Sequence, residues 1–64
     1  MTPAEIRAAR AALGLSGAQL ARLLGVSTRA YAMWEQGARK VNPTAARAVG
    51  WFLAGFRPAG WPGA

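Results

Sequence analysis

The sequence predicts a small all-α domain of four to five short helices. Three observations support this: apolar residues recur at helical spacing, residues that favour helix starts precede each apolar segment, and glycines follow most of these segments. With 64 residues the chain is close to the lower size limit at which a hydrophobic core alone stabilises a fold. We therefore expect tight helix packing, or burial against a second copy, to add to the stability.

The first predicted helix begins at Thr2–Glu5 and runs to about Leu13. This start combines a capping hydroxyl, a proline in the first turn and a glutamate that can reach back to the cap. Gly14 should end the helix because glycine accepts the backbone conformation found after helix ends. The residues predicted to form its buried face are Ile6, Ala9 and Leu13.

The segment 16–37 predicts two short helices joined by a tight turn. Ser16–Gln19 has the pattern of a capping box, and Gly25, which adopts positive φ at little cost, ends the helix that follows. Ser27 should cap the next helix, which is expected to span Thr28–Gln36. The predicted buried residues of these helices are Leu20, Ala21, Leu24, Tyr31 and Trp34. This is the layout of a helix-turn-helix, and it makes sequence-specific DNA binding the leading hypothesis.

A fourth helix is predicted from Pro43 to about Gly55, because Asn42 and Pro43 repeat the combination of a cap and a proline. Four apolar residues of this helix recur at helical spacing, and we expect them to complete the core: Ala45, Val49, Phe52 and Phe56. We expect residues 1–56 to form one DNA-binding domain. Residues 57–64 should be a tail rich in proline, glycine and tryptophan, without regular structure and associated with a dimer contact.

The charge of the chain favours a polyanionic partner. Eight lysines and arginines stand against Glu5 and Glu35, which gives a net charge of +6. A charge of this sign on a small body attracts nucleic acid, although a charge of this size also keeps small domains soluble. Seven of the eight cations are arginine, whose planar guanidinium matches phosphate oxygens and guanine edges.

Several classes of function are excluded by what the sequence lacks. It contains no cysteine and no histidine, so we expect no metal, no cofactor and no disulfide. Two carboxylates are too few for general acid–base catalysis, so we expect no enzyme. The longest apolar run, 48–56, is shorter than the roughly 20 residues that span a bilayer. These observations favour a cytoplasmic protein with no membrane segment, and no small-molecule effector is expected.

The chain closely resembles the Cro/C1-type helix-turn-helix proteins of phage and bacteria, also called the XRE family, over about residues 3–53. The motifs that carry the resemblance are Gly14–Ser16, Leu20–Ala21, Leu24–Ser27 and Trp34–Gly37. The resemblance implies a compact, lambda-repressor-like domain that binds double-stranded DNA.

The resemblance also implies roles for particular residues. In the family the second helix of the motif contacts bases, which implies base contacts for Thr28, Arg29, Ala32, Met33 and Gln36. Contacts to the phosphate backbone are implied for Gln19, Arg39 and Lys40. An ion pair between the first helix and the third is implied for Arg10 and Glu35.

This chain departs from the family pattern at two places. Many relatives have a glutamine directly after the capping serine, where it contacts a phosphate, whereas this chain has Gly17. The recognition surface carries the apolar Ala32 and Met33, which could contact only thymine methyl groups. Direct base recognition would therefore depend on Arg29, which suits guanine O6 and N7, and on Thr28. The remaining arginines, which we expect to lie in solvent, are Arg7, Arg22, Arg47 and Arg57.

The fourth helix suggests a dimer. Trp51 lies with Ala48 and Gly55 on the side away from the predicted core, so it would be exposed in a monomer. A symmetric dimer through this helix and Trp61 would place two recognition helices about 34 Å apart on an inverted repeat. Alternatively, the tail folds back over Trp51.

The sequence therefore favours a dimeric transcriptional repressor that controls its own operon. The alternative is a protein-interaction module of the same fold, such as an antitoxin or a partner of a phage or host factor. The apolar Ala32 and Met33 favour a protein contact, whereas Arg29, Arg39 and Lys40 favour DNA.

Overall fold

The computed structural model describes residues 1–63, so Ala64, the last residue of the predicted tail, lies outside the described residues. The helices within this range are α1 (Pro3–Ala12), α2 (Gly17–Leu24), α3 (Thr28–Gln36) and α4 (Pro43–Leu53). α3 packs against both α1 and α2, and α4 packs against α1. The prediction of an all-α fold is confirmed, and residues 1–63 contain four helices rather than five.

Each helix begins at the predicted cap. The N-cap residues, each of which accepts a hydrogen bond from a first-turn amide, are Thr2, Ser16, Ser27 and Asn42. At α1 and α2 the side chains of Glu5 and Gln19 also accept a hydrogen bond from the backbone amide of the cap residue. Both capping boxes are therefore complete, and they fix the starts of the two helices.

The C-terminal ends of α1 and α4 fall slightly earlier than predicted. α1 ends at Ala12, with Leu13 as its cap residue, and α4 ends at Leu53 rather than near Gly55. Gly55 has a φ of 109°, which an α-helix cannot contain. In the described part of the chain, no helix has the length and apolar character needed to cross a bilayer.

The core lies where the four helices meet. Its buried residues are Ile6, Ala9, Leu15, Leu20, Ala21, Tyr31, Trp34, Ala45, Val49 and Phe52. Leu13 and Leu24, which were predicted to be buried, are partly buried and pack against this core. The prediction that Phe56 completes the core is wrong, because α4 ends before it and its side chain is 56% exposed. Its ring stacks on Phe52 with the centroids 6.4 Å apart.

The tail folds back onto the end of α4. Arg57 Nη1 donates hydrogen bonds to the carbonyl oxygens of Phe52 at 2.6 Å and Phe56 at 3.0 Å. Its guanidinium lies 4.2 Å from the centroid of the Trp61 ring, and Trp61 packs edge-on against Phe52 at 5.2 Å. We call Phe52, Arg57 and Trp61 the tail clasp. It satisfies a carbonyl group at the end of α4 and covers Phe52, whereas Trp51 stays 56% exposed.

Candidate nucleic-acid interface

The turn between α2 and α3 fixes the angle between these two helices. Gly25 ends α2 in the left-handed conformation with a φ of 74°, where an L-amino acid would be strained. The next amide, that of Val26, donates to the carbonyl of Ala21 at 3.0 Å. Ser27 Oγ then accepts from the amide of Ala30 at 3.0 Å and starts α3. This local hydrogen bonding places the N-terminal turn of α3 at the molecular surface.

Glu35, in the last turn of α3, joins α3 to α1. Arg10 Nε donates to Glu35 Oε2 at 2.7 Å, so the two residues implied to pair are in contact. Tyr31 donates its hydroxyl proton to the same oxygen at 2.6 Å, and Arg7 Nη1 donates to the Glu35 backbone oxygen at 2.8 Å. We call Arg7, Arg10, Tyr31 and Glu35 the Glu35 cluster.

The hydrogen bonds of the Glu35 cluster shift the pKa values of its members. Burial raises the pKa of the Glu35 carboxyl, but hydrogen bonds from Tyr31 and Arg10 outweigh it, so the pKa is lowered overall. The bond to Glu35 raises the pKa of the Arg10 guanidinium. Burial, followed by the bond to Glu35, raises the pKa of the Tyr31 hydroxyl. At neutral pH the cluster therefore contains an ionised carboxylate and a neutral phenol.

The opposite side of α3 faces solvent. Thr28, Arg29 and Gln36 are exposed, while Ala32 and Met33 are half-buried. Within residues 1–63, the side chain of Arg29 makes no hydrogen bond or ion pair with the rest of the chain. All five residues implied to contact bases thus lie on α3, and the three polar ones among them are exposed.

The residues implied to contact phosphate lie around this helix. Arg39 and Lys40 are exposed in the loop between α3 and α4. The start of this loop is fixed because the backbone amides of Ala38 and Arg39 both donate to the carbonyl of Met33. Gln19 is exposed in the first turn of α2, where its side-chain oxygen accepts from the Ser16 amide at 2.9 Å. Its carboxamide NH₂ is left to donate to a ligand.

The cations of this surface have no competing carboxylate. Glu5 and Glu35 are the only acidic side chains in the sequence. The first is bonded to the Thr2 amide and the second belongs to the Glu35 cluster. In the part of the chain that the structure describes, Arg29, Arg39 and Lys40 therefore have no side-chain carboxylate as a partner.

A second exposed surface lies on α4 and the turn after it, since the helix ends at Leu53, and Gly55, which was predicted to lie on the same helix face as Trp51, follows the helix. Trp51 is 56% exposed, Gly55 is exposed and Ala48 is half-buried, whereas Trp61 is half-buried within the tail clasp. Two adjoining hollows of about 190 and 260 Å³ lie beside this surface. They share Thr44 and Ala48; the first is also lined by Leu23, Leu24, Val26, Asn42 and Ala45, and the second by Pro43, Arg47 and Trp51.

Several polar side-chain contacts of the structure were not predicted from the sequence. Arg7 and Arg57 were expected in solvent, but each donates a hydrogen bond to a backbone carbonyl. Tyr31 is buried as predicted, but the hydrogen bond from its hydroxyl to Glu35 Oε2 was not predicted. Its spacing of four residues from Glu35 on one helix face is the signal that could have indicated this last bond.

Comparison with known protein families agrees with this geometry. A family model described as helix-turn-helix matches residues 6–50, which is most of the chain. The chain therefore belongs to the helix-turn-helix family of Cro/C1 type, and it is a DNA-binding helix-turn-helix regulator. Neither the curated proteins nor the solved structures gave a match.

Proposed function

We propose that this protein is a transcriptional repressor that recognises a short sequence in double-stranded DNA with the N-terminal half of α3. The observation that carries the proposal is the exposed Arg29 without an internal partner, on a helix whose other face is held by the Glu35 cluster. An exposed cation near the start of a rigidly held helix is suited to the major groove.

Base recognition would depend on a few side chains. Arg29 is assigned to a guanine, whose O6 and N7 accept both arms of a guanidinium. Thr28, one residue earlier, is assigned either to a base edge or to a phosphate, and Gln36 lies at the far end of the same surface. Ala32 and Met33 offer only apolar contacts, which suit the methyl group of thymine.

Phosphate contacts would hold α3 in the groove. Arg39 and Lys40 extend from the loop that follows α3, and Gln19 lies at the start of α2. Contacts to phosphate from both sides of a recognition helix fix its register on the duplex, while they carry no sequence information themselves. We propose these three residues for that role.

The repressor would act as a homodimer on an inverted repeat, since one copy of α3 covers only a few base pairs. The proposed dimer contact is the surface formed by Ala48 and Trp51 on α4 and by Gly55 just after it, where the exposed tryptophan lines one of the two hollows. Because Trp61 packs on Phe52 in the monomer, we assign it to supporting α4 rather than to a direct dimer contact. A small phage or bacterial repressor that controls its own operon, in the cytoplasm, is the setting that fits best.

We propose binding rather than catalysis as the activity. Both acidic side chains already have partners within the fold, and the sequence contains neither histidine nor cysteine. General acid–base chemistry needs such groups free in a cleft.

A second candidate function is a protein-interaction module, such as an antitoxin. The observation that favours it is the apolar character of Ala32 and Met33 on the exposed side of α3. A protein partner would cover these side chains and would compete with DNA for the same side of α3.

One experiment separates the two candidates. The purified protein is used to select duplexes from a random pool, and the affinity for an enriched duplex is measured at several salt concentrations. A DNA-binding repressor enriches a short motif, and log Kd changes with log salt by a slope of about 0.9 per neutralised phosphate. Failure to enrich any motif would reject the proposal and favour the protein-interaction module.

A further inference from the structure

Tyr31 makes two specific contacts from one buried position. Only 2% of the side chain is exposed, and its hydroxyl donates to Glu35 Oε2 at 2.6 Å. Its ring lies against the first residue of α2, Gly17, and meets Trp34 edge-on at 5.9 Å. The hydroxyl thus ties Tyr31 to the Glu35 cluster, while the ring contacts the neighbouring helix of the motif.

Gly17 allows this close approach. A Cβ atom at this position would lie 3.3 Å from Cε2 and 3.4 Å from Cδ2 of Tyr31, which is closer than most carbon contacts in proteins. Any larger side chain here would have to displace the ring or move α2 away from α3. Gly17 therefore lacks the side chain that contacts a phosphate in many relatives, but it allows the Tyr31 ring to pack closely against α2.

The position of Tyr31 on α3 connects these contacts to the DNA surface. Tyr31 follows Arg29 by two residues, so the two side chains lie about 200° apart around the helix axis. A rotation of α3 that shifts the ring on Gly17 therefore moves Arg29 by a similar angle on the opposite side. Binding groups must be held to within about 0.5 Å and 10–20° of their productive geometry.

We propose that Tyr31, seated on Gly17 and bonded to Glu35, is a positioning residue that sets the rotation of α3 about its own axis. It touches no DNA, but it determines whether Arg29 can reach both acceptors of a guanine. This inference rests on the proposed function, because it concerns how the proposed base contact becomes selective.

The first test is Tyr31→Phe, which keeps the ring and removes the hydroxyl. The measured quantity is the ratio of Kd for a random duplex to Kd for the duplex enriched by the wild-type protein, at one salt concentration. We expect this ratio to fall about threefold to tenfold, the range for loss of one orienting hydrogen bond. Kd for the random duplex should stay within about twofold, since phosphate contacts need less exact orientation.

Gly17→Ala is the second test, and it changes the other side of the same contact. Gly17 has no positive φ, so the backbone accepts alanine there, but the added methyl group pushes on the Tyr31 ring. The melting temperature should therefore stay the same or fall. We expect the same loss of selectivity as in Tyr31→Phe when the variant is measured well below its melting temperature.

Arg57→Gln is the matched control. It weakens the tail clasp, which lies on α4 and the tail, and therefore lowers stability without contacting α3. The ratio of Kd for the random duplex to Kd for the enriched duplex should be the same in this variant as in the wild type. All variants are measured well below their melting temperatures. Unchanged ratios in both Tyr31→Phe and Gly17→Ala, with clear selectivity in the wild type, would overturn the positioning role alone. A wild-type protein that prefers no duplex would reject both this inference and the proposed function.

Discussion

Arg29 is the side chain on which the proposed base contact depends most. It is exposed and has no partner within the described residues. A bidentate contact to guanine contributes about 1–3 kcal/mol of discrimination against other bases. Arg29→Ala should therefore weaken binding to the enriched duplex by about 5- to 150-fold and relax the preference at one base pair. Fluorescence anisotropy with single-base variants of the duplex measures both effects.

Lys40→Ala provides the comparison, because it removes one positive charge from the loop between α3 and α4. We expect it to weaken binding to all duplexes alike and to reduce the salt slope by about 1. Equal losses on enriched and random duplexes for both variants would contradict the different roles assigned to these two residues.

Glu35 makes the stability of the protein dependent on pH. Its pKa is lowered in the folded state, because the hydrogen bonds from Tyr31 and Arg10 outweigh the effect of burial. The ionised form thus stabilises the fold above the unfolded pKa, near 4.5, and this stabilisation is lost as the pH falls through the lower folded value. Thermal melts should show a melting temperature that falls as the pH drops below about 4.5.

Glu35→Gln should remove most of this acid dependence. At neutral pH it should cost about 1–3 kcal/mol, because Arg10 loses its charged partner. Glu5→Gln is the control, since Glu5 also has a lowered pKa but is exposed and bonds only to the start of α1. If Glu35→Gln left the acid transition unchanged, the Glu35 cluster would not be the source of that transition.

The difference between Arg10 and Arg7 illustrates what the sequence can predict about single residues. The pairing of Arg10 with Glu35 follows from a motif, because two opposite charges occupy positions that the family shares. Arg7 instead donates to a backbone carbonyl 28 residues away. Every residue has such an acceptor, so only the packing of α1 on α3 decides which carbonyl is in reach.

Among the helices, the starts were more predictable than the ends. A helix start depends on contacts within three residues, as in the capping boxes of α1 and α2. The end of α4 depends also on residues that follow it, because Arg57 and Trp61 fold back onto Phe52. The helical spacing of apolar residues continues to Phe56. For this reason a prediction based on spacing alone assigns Phe56 to the core, although its side chain is exposed.

The tail clasp should contribute measurably to the stability of α4. Arg57→Ala removes two hydrogen bonds to carbonyls and a cation–π contact with Trp61. Together these should be worth about 1–2 kcal/mol, or a fall in melting temperature of roughly 5–15 °C for a domain of this size. Circular dichroism during heating measures the change.

Arg47→Ala is the matched control for the tail clasp. Arg47 is an exposed arginine on α4 and takes part in none of the hydrogen bonds or ion pairs of residues 1–63. Its removal should change the free energy of unfolding by no more than about 0.5 kcal/mol. Equal melting temperatures for Arg57→Ala and Arg47→Ala would mean that the tail clasp stabilises the fold no more than an ordinary surface arginine does.

The molecule as a whole combines a positive surface with an apolar one. α4 contains no acidic side chain, so two copies of this helix cannot form side-chain ion pairs with each other. A dimer through α4 should therefore depend mainly on apolar burial. A standard interface buries about 800 Å² on each partner, roughly a fifth of the 4091 Å² that this chain exposes.

Trp51 is the residue that should contribute most to such a dimer. Buried tryptophans are frequent hot spots, and truncating one commonly costs about 2 kcal/mol or more, which is about a 30-fold change in Kd. Trp51→Ala should shift the protein from dimer to monomer in analytical ultracentrifugation. It should also weaken binding to a duplex with two half-sites much more than to a duplex with one, because the second recognition helix is then no longer linked to the first.

Leu53→Ala tests whether this effect belongs to the surface of Ala48, Trp51 and Gly55 or to exposed apolar area in general. Leu53 is 50% exposed, close to the 56% of Trp51, but it lies two residues further along the helix and thus on another side of it. It should leave both the dimer and the two-site affinity unchanged. If Leu53→Ala dissociated the dimer and Trp51→Ala did not, the contact would lie on the opposite side of α4. The two recognition helices would then be spaced by a different geometry from the one proposed.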